Sequence, residues 1–167
     1  MKKIAIVYGS TTNNTKSVAE MIAEKLARNE VKLMDVANLK TGDLDAYPNL
    51  ILGTSTWGLG DLQDDWEDYL SALKSLDLTG KVVALFGLGD GCSYPDTFVD
   101  GMGALYDVVK GRAEIIGRVS TKGYVYDGSG AIEADEFVGL VLDEDNESNL
   151  TDGRVNAWLT AIEPSLK

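Results

Sequence analysis

The sequence predicts a doubly wound α/β fold, with a five-stranded parallel sheet covered by helices on both faces. Two observations carry that expectation. Short, continuously apolar runs rich in β-branched residues recur along the chain, as suits strands buried on both sides. Between them lie segments whose apolar residues repeat at helical spacing, so strand and helix alternate, and right-handed crossovers then place helices on both faces.

The first strand is expected at Ile4–Tyr8, the second, partly polar, at Val31–Val36, and the third at Leu50–Leu52. Val82–Phe86 reads as the fourth and Glu114–Val119 as the fifth. Val18, Met21, Ile22 and Leu26 share one helical face; so do Trp66, Tyr69, Leu70 and Leu73, and again Phe98, Met102, Leu105, Tyr106 and Val109. A last helix runs from about Asp152 to Ile162, stopped by Pro164. Asn38–Pro48 is too broken to read as a helix. Lys122–Asn149 is too long for a plain connection and holds a second apolar stretch, Phe137–Leu142, so an insertion at about residues 122–137 is expected to interrupt the last strand. No repeat or linker divides the chain, which reads as one domain over residues 1–167.

Composition narrows the chemistry. The 167 residues contain no histidine, which excludes a Ser-His-Asp triad, a Cys-His dyad and the usual His-bearing metal sites. Cys92 is the single cysteine, so neither an internal disulfide nor a cysteine-held cluster can form. Redox work would need an organic cofactor. The net charge of -12 repels nucleic acid and anionic lipid and steers the chain toward basic surfaces. Acids crowd at Asp61, Asp64, Asp65, Glu67 and Asp68, and again at Asp143, Glu144, Asp145 and Glu147. The apolar run after Met1-Lys2-Lys3 is too short for a signal peptide, and no stretch approaches the ~20 apolar residues of a membrane helix, so a cytoplasmic protein is expected.

Doubly wound sheets bind ligands at the carboxyl ends of their strands, which directs attention to the loops after strands one, three and four. Ser10, Thr11, Thr12, Asn13, Asn14 and Thr15 directly precede a helix, and their hydroxyls and amides with the free N–H groups of a helix start suit a phosphate. One capping residue would suffice for the helix alone. The P-loop spacing fails at Asn14 and Thr15, the G-x-G-x-x-G fingerprint is absent after strand one, and strand one lacks the acids of a phosphoacceptor site. Asp35 carries little weight as a ribose ligand without those glycines. In Thr54–Gln63, Trp57 lies between a strand end and glycines and offers a stacking face, whereas Trp66 and Trp158 sit at core spacing. In Gly87–Asp96, three glycines within Gly87–Gly91 allow close backbone approach, and Tyr94 supplies a second aromatic. Together the loops describe a slot for an aromatic ring with a phosphorylated tail.

Through Gly9–Thr15, Thr56–Gln63, Phe86–Tyr94 and Phe137–Asp152 the chain resembles the flavodoxin family, in its long-chain branch. The resemblance implies strand order 2-1-3-4-5 and one non-covalently bound FMN. Its phosphate would lie at Ser10 to Thr15, with Trp57 and Tyr94 on opposite faces of the ring. Ser55, Thr56 and the backbone of Leu88, Gly89 and Asp90 would line the rest, with Asp145 near the ribityl chain. Asn13 stands where many relatives have glycine; asparagine tolerates a left-handed backbone. The resemblance also places the Gly58 carbonyl to accept a hydrogen bond from the reduced flavin, by a flip of the Gly58–Leu59 peptide.

The expected function is a low-potential one-electron carrier with no catalytic residue, and Cys92 is a spectator. As a monomer, it would dock transiently on basic surfaces of NADPH-dependent flavodoxin or ferredoxin reductases, 2-oxoacid oxidoreductases or nitrogenase-type acceptors. The nearest rival is an FMN-dependent NAD(P)H:quinone reductase on the same fold. A more distant one is a flavin-free interaction module using its acidic face.

Overall fold

A computed structural model describes residues 1–167. The four long parallel strands are β1 (Lys3–Gly9), β2 (Glu30–Asp35), β3 (Asn49–Trp57) and, after a two-residue β4 (Asp61–Leu62), β5 (Val82–Leu88). The fifth position is shared: β6 (Glu114–Ile116) pairs with the start of β5, and β10 (Leu140–Leu142) pairs with its end. The spatial order is therefore 2-1-3-4-5 in principal strands, as expected from the resemblance, with the last one in two pieces. The strand expected at Glu114–Val119 stops at Ile116 because Gly117 turns the chain into the left-handed region, φ 87°.

The excursion between the two pieces builds a small antiparallel sheet, β7 (Val119–Ser120), β9 (Glu136–Phe137) and β8 (Ile132–Glu133) in spatial order. Its inner side carries an aromatic cluster in which Phe98 stacks on Tyr126 at 5.4 Å and Phe137 meets Tyr124 edge-on at 5.3 Å. The Arg154 guanidinium covers the outer face of Tyr124 at 4.1 Å.

Helices α1 (Asn14–Lys25) and α5 (Thr151–Ile162) cover one face of the sheet; α2 (Asp64–Ser75) and α3 (Asp100–Val109) cover the other, and a short α4 (Glu144–Glu147) follows β10. Alternation along β1 shows the two faces directly. Ile4, Ile6 and Tyr8 pack with Val18, Ile22 and Trp158, whereas Ala5 and Val7 pack with Trp66, Leu73 and Met102. Trp66 and Trp158 are core residues, as read from their spacing, and each indole N–H is satisfied by a glycine carbonyl, Gly53 at 2.8 Å and Gly117 at 2.9 Å. No helix is long and apolar enough to cross a membrane.

Candidate functional site

Strand register brings the three loops to one edge. Gly9 lies beside Thr54, and Ser55 beside Leu88, so β1, β3 and β5 end together. Between them opens a cavity of about 400 Å³ lined by Thr12, Asn14, Ser55, Thr56, Trp57, Gly58, Leu88, Gly89, Asp90, Tyr94, Glu144 and Asp145. That size falls in the ~300–1,000 Å³ range of small-molecule sites. Eleven of these twelve were singled out in the sequence; Glu144 was not, though it lies in the acidic stretch noted there.

The first loop leaves several of its polar groups unpaired. Asn13 adopts φ 70° and ψ -4°, the left-handed conformation its side chain tolerates, and starts α1 with no side-chain cap. The first turn of α1 has no acidic residue, and its backbone amides are left free at the cavity edge. The hydroxyls of Ser10 and Thr15 are buried and have no hydrogen-bond partner. A buried, unsatisfied hydroxyl costs ~1–3 kcal/mol, so two of them flanking a free helix start fit a missing acceptor such as a phosphate oxygen. Of this loop only Thr12 and Asn14 line the open cavity; Ser10, Thr11, Asn13 and Thr15 do not, and Thr15 is buried. Thr11 is tied down separately, its hydroxyl accepting from Gln63 Nε2 at 3.3 Å. The same Gln63, 1% exposed, caps α2 through bonds from the Asp65 and Trp66 amides, which couples the first loop to the second.

The second loop begins later than its sequence suggests. Ser55, Thr56 and Trp57 belong to β3, because a tight reversal returns the chain as β4, with Thr56 opposite Leu62 and Trp57 opposite Asp61. The reversal uses Gly58 at φ 51° and Gly60 at φ 103°. Trp57 is 39% exposed and held by its indole N–H donating to Ser55 Oγ at 2.8 Å. Thr56 Oγ1 accepts from the Gly101 N–H at 2.9 Å, which anchors this hydroxyl to α3 and leaves its O–H to donate elsewhere.

In the third loop Tyr94 is 45% exposed, and its amide donates to the Asp90 carbonyl at 3.0 Å. Two large aromatics on one cavity, each with an open face, offer stacking surface that the chain itself does not use. Asp90 has a role the sequence did not reveal. Its Oδ1 accepts from the amides of Cys92 (3.1 Å) and Ser93 (2.9 Å) and from Asn146 Nδ2 (2.9 Å). Burial pushes the Asp90 pKa up, but these bonds from Ser93, Asn146 and Cys92 outweigh it and hold the carboxyl below its usual value. Asp145 goes the other way: burial and the neighbouring charges of Asp90 and Asp143 raise it. Asp143, 2% exposed, accepts from Gly91 N–H and from Asn146, fastening the third loop to the start of α4.

A flavodoxin profile matches residues 6–158 of the sequence. The chain belongs to the flavodoxin family. It is 43% identical to a flavodoxin of Nostoc over 162 residues, 96% of this chain and 95% of that one. It is 40% identical to flavodoxin 1 of Escherichia coli K12 over 163 residues, 96% and 93% of the two chains. Its structure matches that of a Fusobacterium nucleatum flavodoxin bound to flavin mononucleotide, with TM-score 0.95, 36% identity and full coverage of both chains. The family assignment agrees with the strand order, the divided fifth strand and the three converging loops.

Proposed function

We propose that this chain is a one-electron carrier that holds FMN non-covalently in the cavity at the carboxyl edge of the sheet. The observation that carries the proposal is the pairing of two unused aromatic faces, Trp57 and Tyr94, with two buried unpartnered hydroxyls, Ser10 and Thr15, at a free helix start. Bound FMN supplies a ring that accepts electrons one at a time.

The chain's own residues then divide the work. Ser10, Thr11, Thr12, Asn13, Asn14 and Thr15 hold the phosphate, chiefly through free amides and the two hydroxyls. Trp57 and Tyr94 cover the ring and exclude water from it. Ser55 and Thr56 and the backbone of Leu88, Gly89 and Asp90 face the remainder, with Asp145 beside them. Gly58, already left-handed, allows the Gly58–Leu59 peptide to reorient without a side-chain penalty. The carboxylates of Asp90, Glu144 and Asp145 on one partly desolvated cavity oppose the build-up of negative charge, which makes a second electron harder to add than the first.

The partners are redox proteins with basic docking surfaces, among them NADPH-dependent flavodoxin or ferredoxin reductases, 2-oxoacid oxidoreductases and nitrogenase-type acceptors, met as a monomer in the cytoplasm. Asp61, Asp64, Asp65 and Glu67 around the Trp57 reversal and the acids of α4 supply the complementary charge. Potentiometric titration of the FMN-loaded protein without oxygen tests the reading, and two well-separated one-electron potentials are expected. Both electrons entering together would transfer the assignment to a two-electron NAD(P)H:quinone reductase. Failure to take up FMN would overturn the cofactor itself.

A further inference from the structure

The two cavity loops that carry Trp57 and Tyr94 are exposed reversals, and the first turn of α3 lies against both. A Cβ on Gly101 would sit 2.5 Å from the Ser55 carbonyl oxygen, one on Gly60 would sit 2.8 Å from Asp100 Oδ2, and one on Gly89 would sit 3.0 Å from the Val99 nitrogen. At Gly101 and Gly89 the close approach is to backbone, and at Gly60 it is to the Asp100 side chain. At the centre Val99, fully buried, adopts φ 52°. A β-branched residue in the left-handed region is strained and persists only where its surroundings over-determine it.

The inserted segment supplies that determination. The Phe98 N–H donates to the Gly128 carbonyl at 3.1 Å, Ser129 Oγ donates to the Phe98 carbonyl at 2.5 Å, and the Gly130 N–H donates to Asp100 Oδ1 at 2.6 Å. Asp100 therefore has one carboxylate oxygen on the insertion and the other against the backbone of Gly60. We propose that Asp100 is a positioning residue through which the insertion fixes the Trp57–Gly60 reversal and, with it, the shape of the FMN cavity. The proposal rests on the FMN reading for its consequence, but its geometry stands in the chain alone.

Asp100→Ala, Asp100→Asn and Ser129→Ala test it, read by amide hydrogen exchange in the apoprotein and by FMN titration. Asp100→Ala is expected to speed exchange at Gly58–Asp61 and to weaken FMN binding about tenfold, as loss of a charge-assisted hydrogen bond implies. Asp100→Asn keeps an oxygen for the Gly130 N–H and should return to within about twofold of the parent. Ser129→Ala, made wholly within the insertion, should move both readouts in the Asp100→Ala direction. Folded variants with parental exchange at Gly58–Asp61 and parental affinity would overturn the proposal, as would failure of Asp100→Asn to rescue. A parent protein that takes up no FMN would defeat the cofactor reading instead, and the exchange measurement would still decide the role of Asp100.

Discussion

Thr15→Val separates the cost of the unliganded site from its reward, because the two change in opposite directions. Thr15 is 1% exposed and its hydroxyl has no partner. Valine keeps the shape and the β-branch while removing the polar atom. The apoprotein should gain stability, since a buried unsatisfied hydroxyl costs ~1–3 kcal/mol. FMN binding should weaken, since a hydrogen bond to a charged group contributes ~1.5–3 kcal/mol, or about ten- to 150-fold in affinity. Urea unfolding of the apoprotein reads the first effect, and quenching of flavin fluorescence reads the second. Riboflavin, which lacks the phosphate, supplies the control: its affinity should not change. A variant that loses riboflavin and FMN affinity equally, or that loses neither, would refute the assignment of this hydroxyl to the phosphate.

Three further outcomes are expected. Gly58→Ala places a side chain at φ 51°, which costs ~1–2 kcal/mol, and crowds Asp61 Oδ2 at 3.3 Å. Spectroelectrochemistry should show the two one-electron potentials moving closer, by about 59 mV for each ~1.4 kcal/mol lost, and an unchanged separation would remove Gly58 from the mechanism. Asp145 has a raised pKa, from burial first and then from Asp90 and Asp143, so its contribution to stability is full below its unfolded pKa and lost as pH rises through its folded value. Asp145→Asn should therefore stabilise the apoprotein at neutral pH and lose that advantage in acid, whereas Asp90, with its pKa lowered, stabilises above the carboxylate range and ceases to as pH falls; urea midpoints across pH check both signs. Asn13→Gly should be neutral or slightly stabilising at φ 70°, while Asn13→Val should cost ~1–2 kcal/mol in thermal or urea unfolding.

Strands one and four were legible because β1 and β5 bury continuous runs on both faces, whereas β2, an edge strand with no fully buried residue, was legible from its alternating apolar residues Val31 and Leu33, followed by Met34. The third strand was read too short. Leu50–Leu52 is its apolar part, but Thr54–Trp57 are polar or aromatic and become strand only by pairing with β4 and β5, a tertiary effect that no local window holds. The insertion was legible as an excess of chain over Lys122–Asn149, whereas its two-residue strands were not, since nothing that short has a period. At the site, residue types drew attention to Ser10–Thr15, Trp57 and Tyr94, of which Thr12, Asn14, Trp57 and Tyr94 line one cavity. They were uninformative where one carboxylate can serve two ends. Asp90 was singled out for its backbone, and the structure shows its carboxylate bracing its own loop. Asp143 and Gln63 join loops distant in sequence through bonds that only the fold brings into range.

In this chain of net charge -12 the two neighbouring helix starts carry opposite arrangements of charge. The first turn of α2 contains Asp64, Asp65 and Glu67, each favoured by the helix dipole and already capped by Gln63. The first turn of α1, one loop away, has no acid and no side-chain cap. An acid there would stabilise the apo helix by ~0.3–1 kcal/mol, so its absence is a stability the fold forgoes. The free amides and unpaired hydroxyls left behind cost more again. Both costs would be offset only by an external anion at the α1 start, whereas the α2 start is already satisfied by the chain's own Gln63 and acids. Acids are thus kept out of the α1 first turn itself, while Asp90, Glu144 and Asp145 line the same cavity farther along.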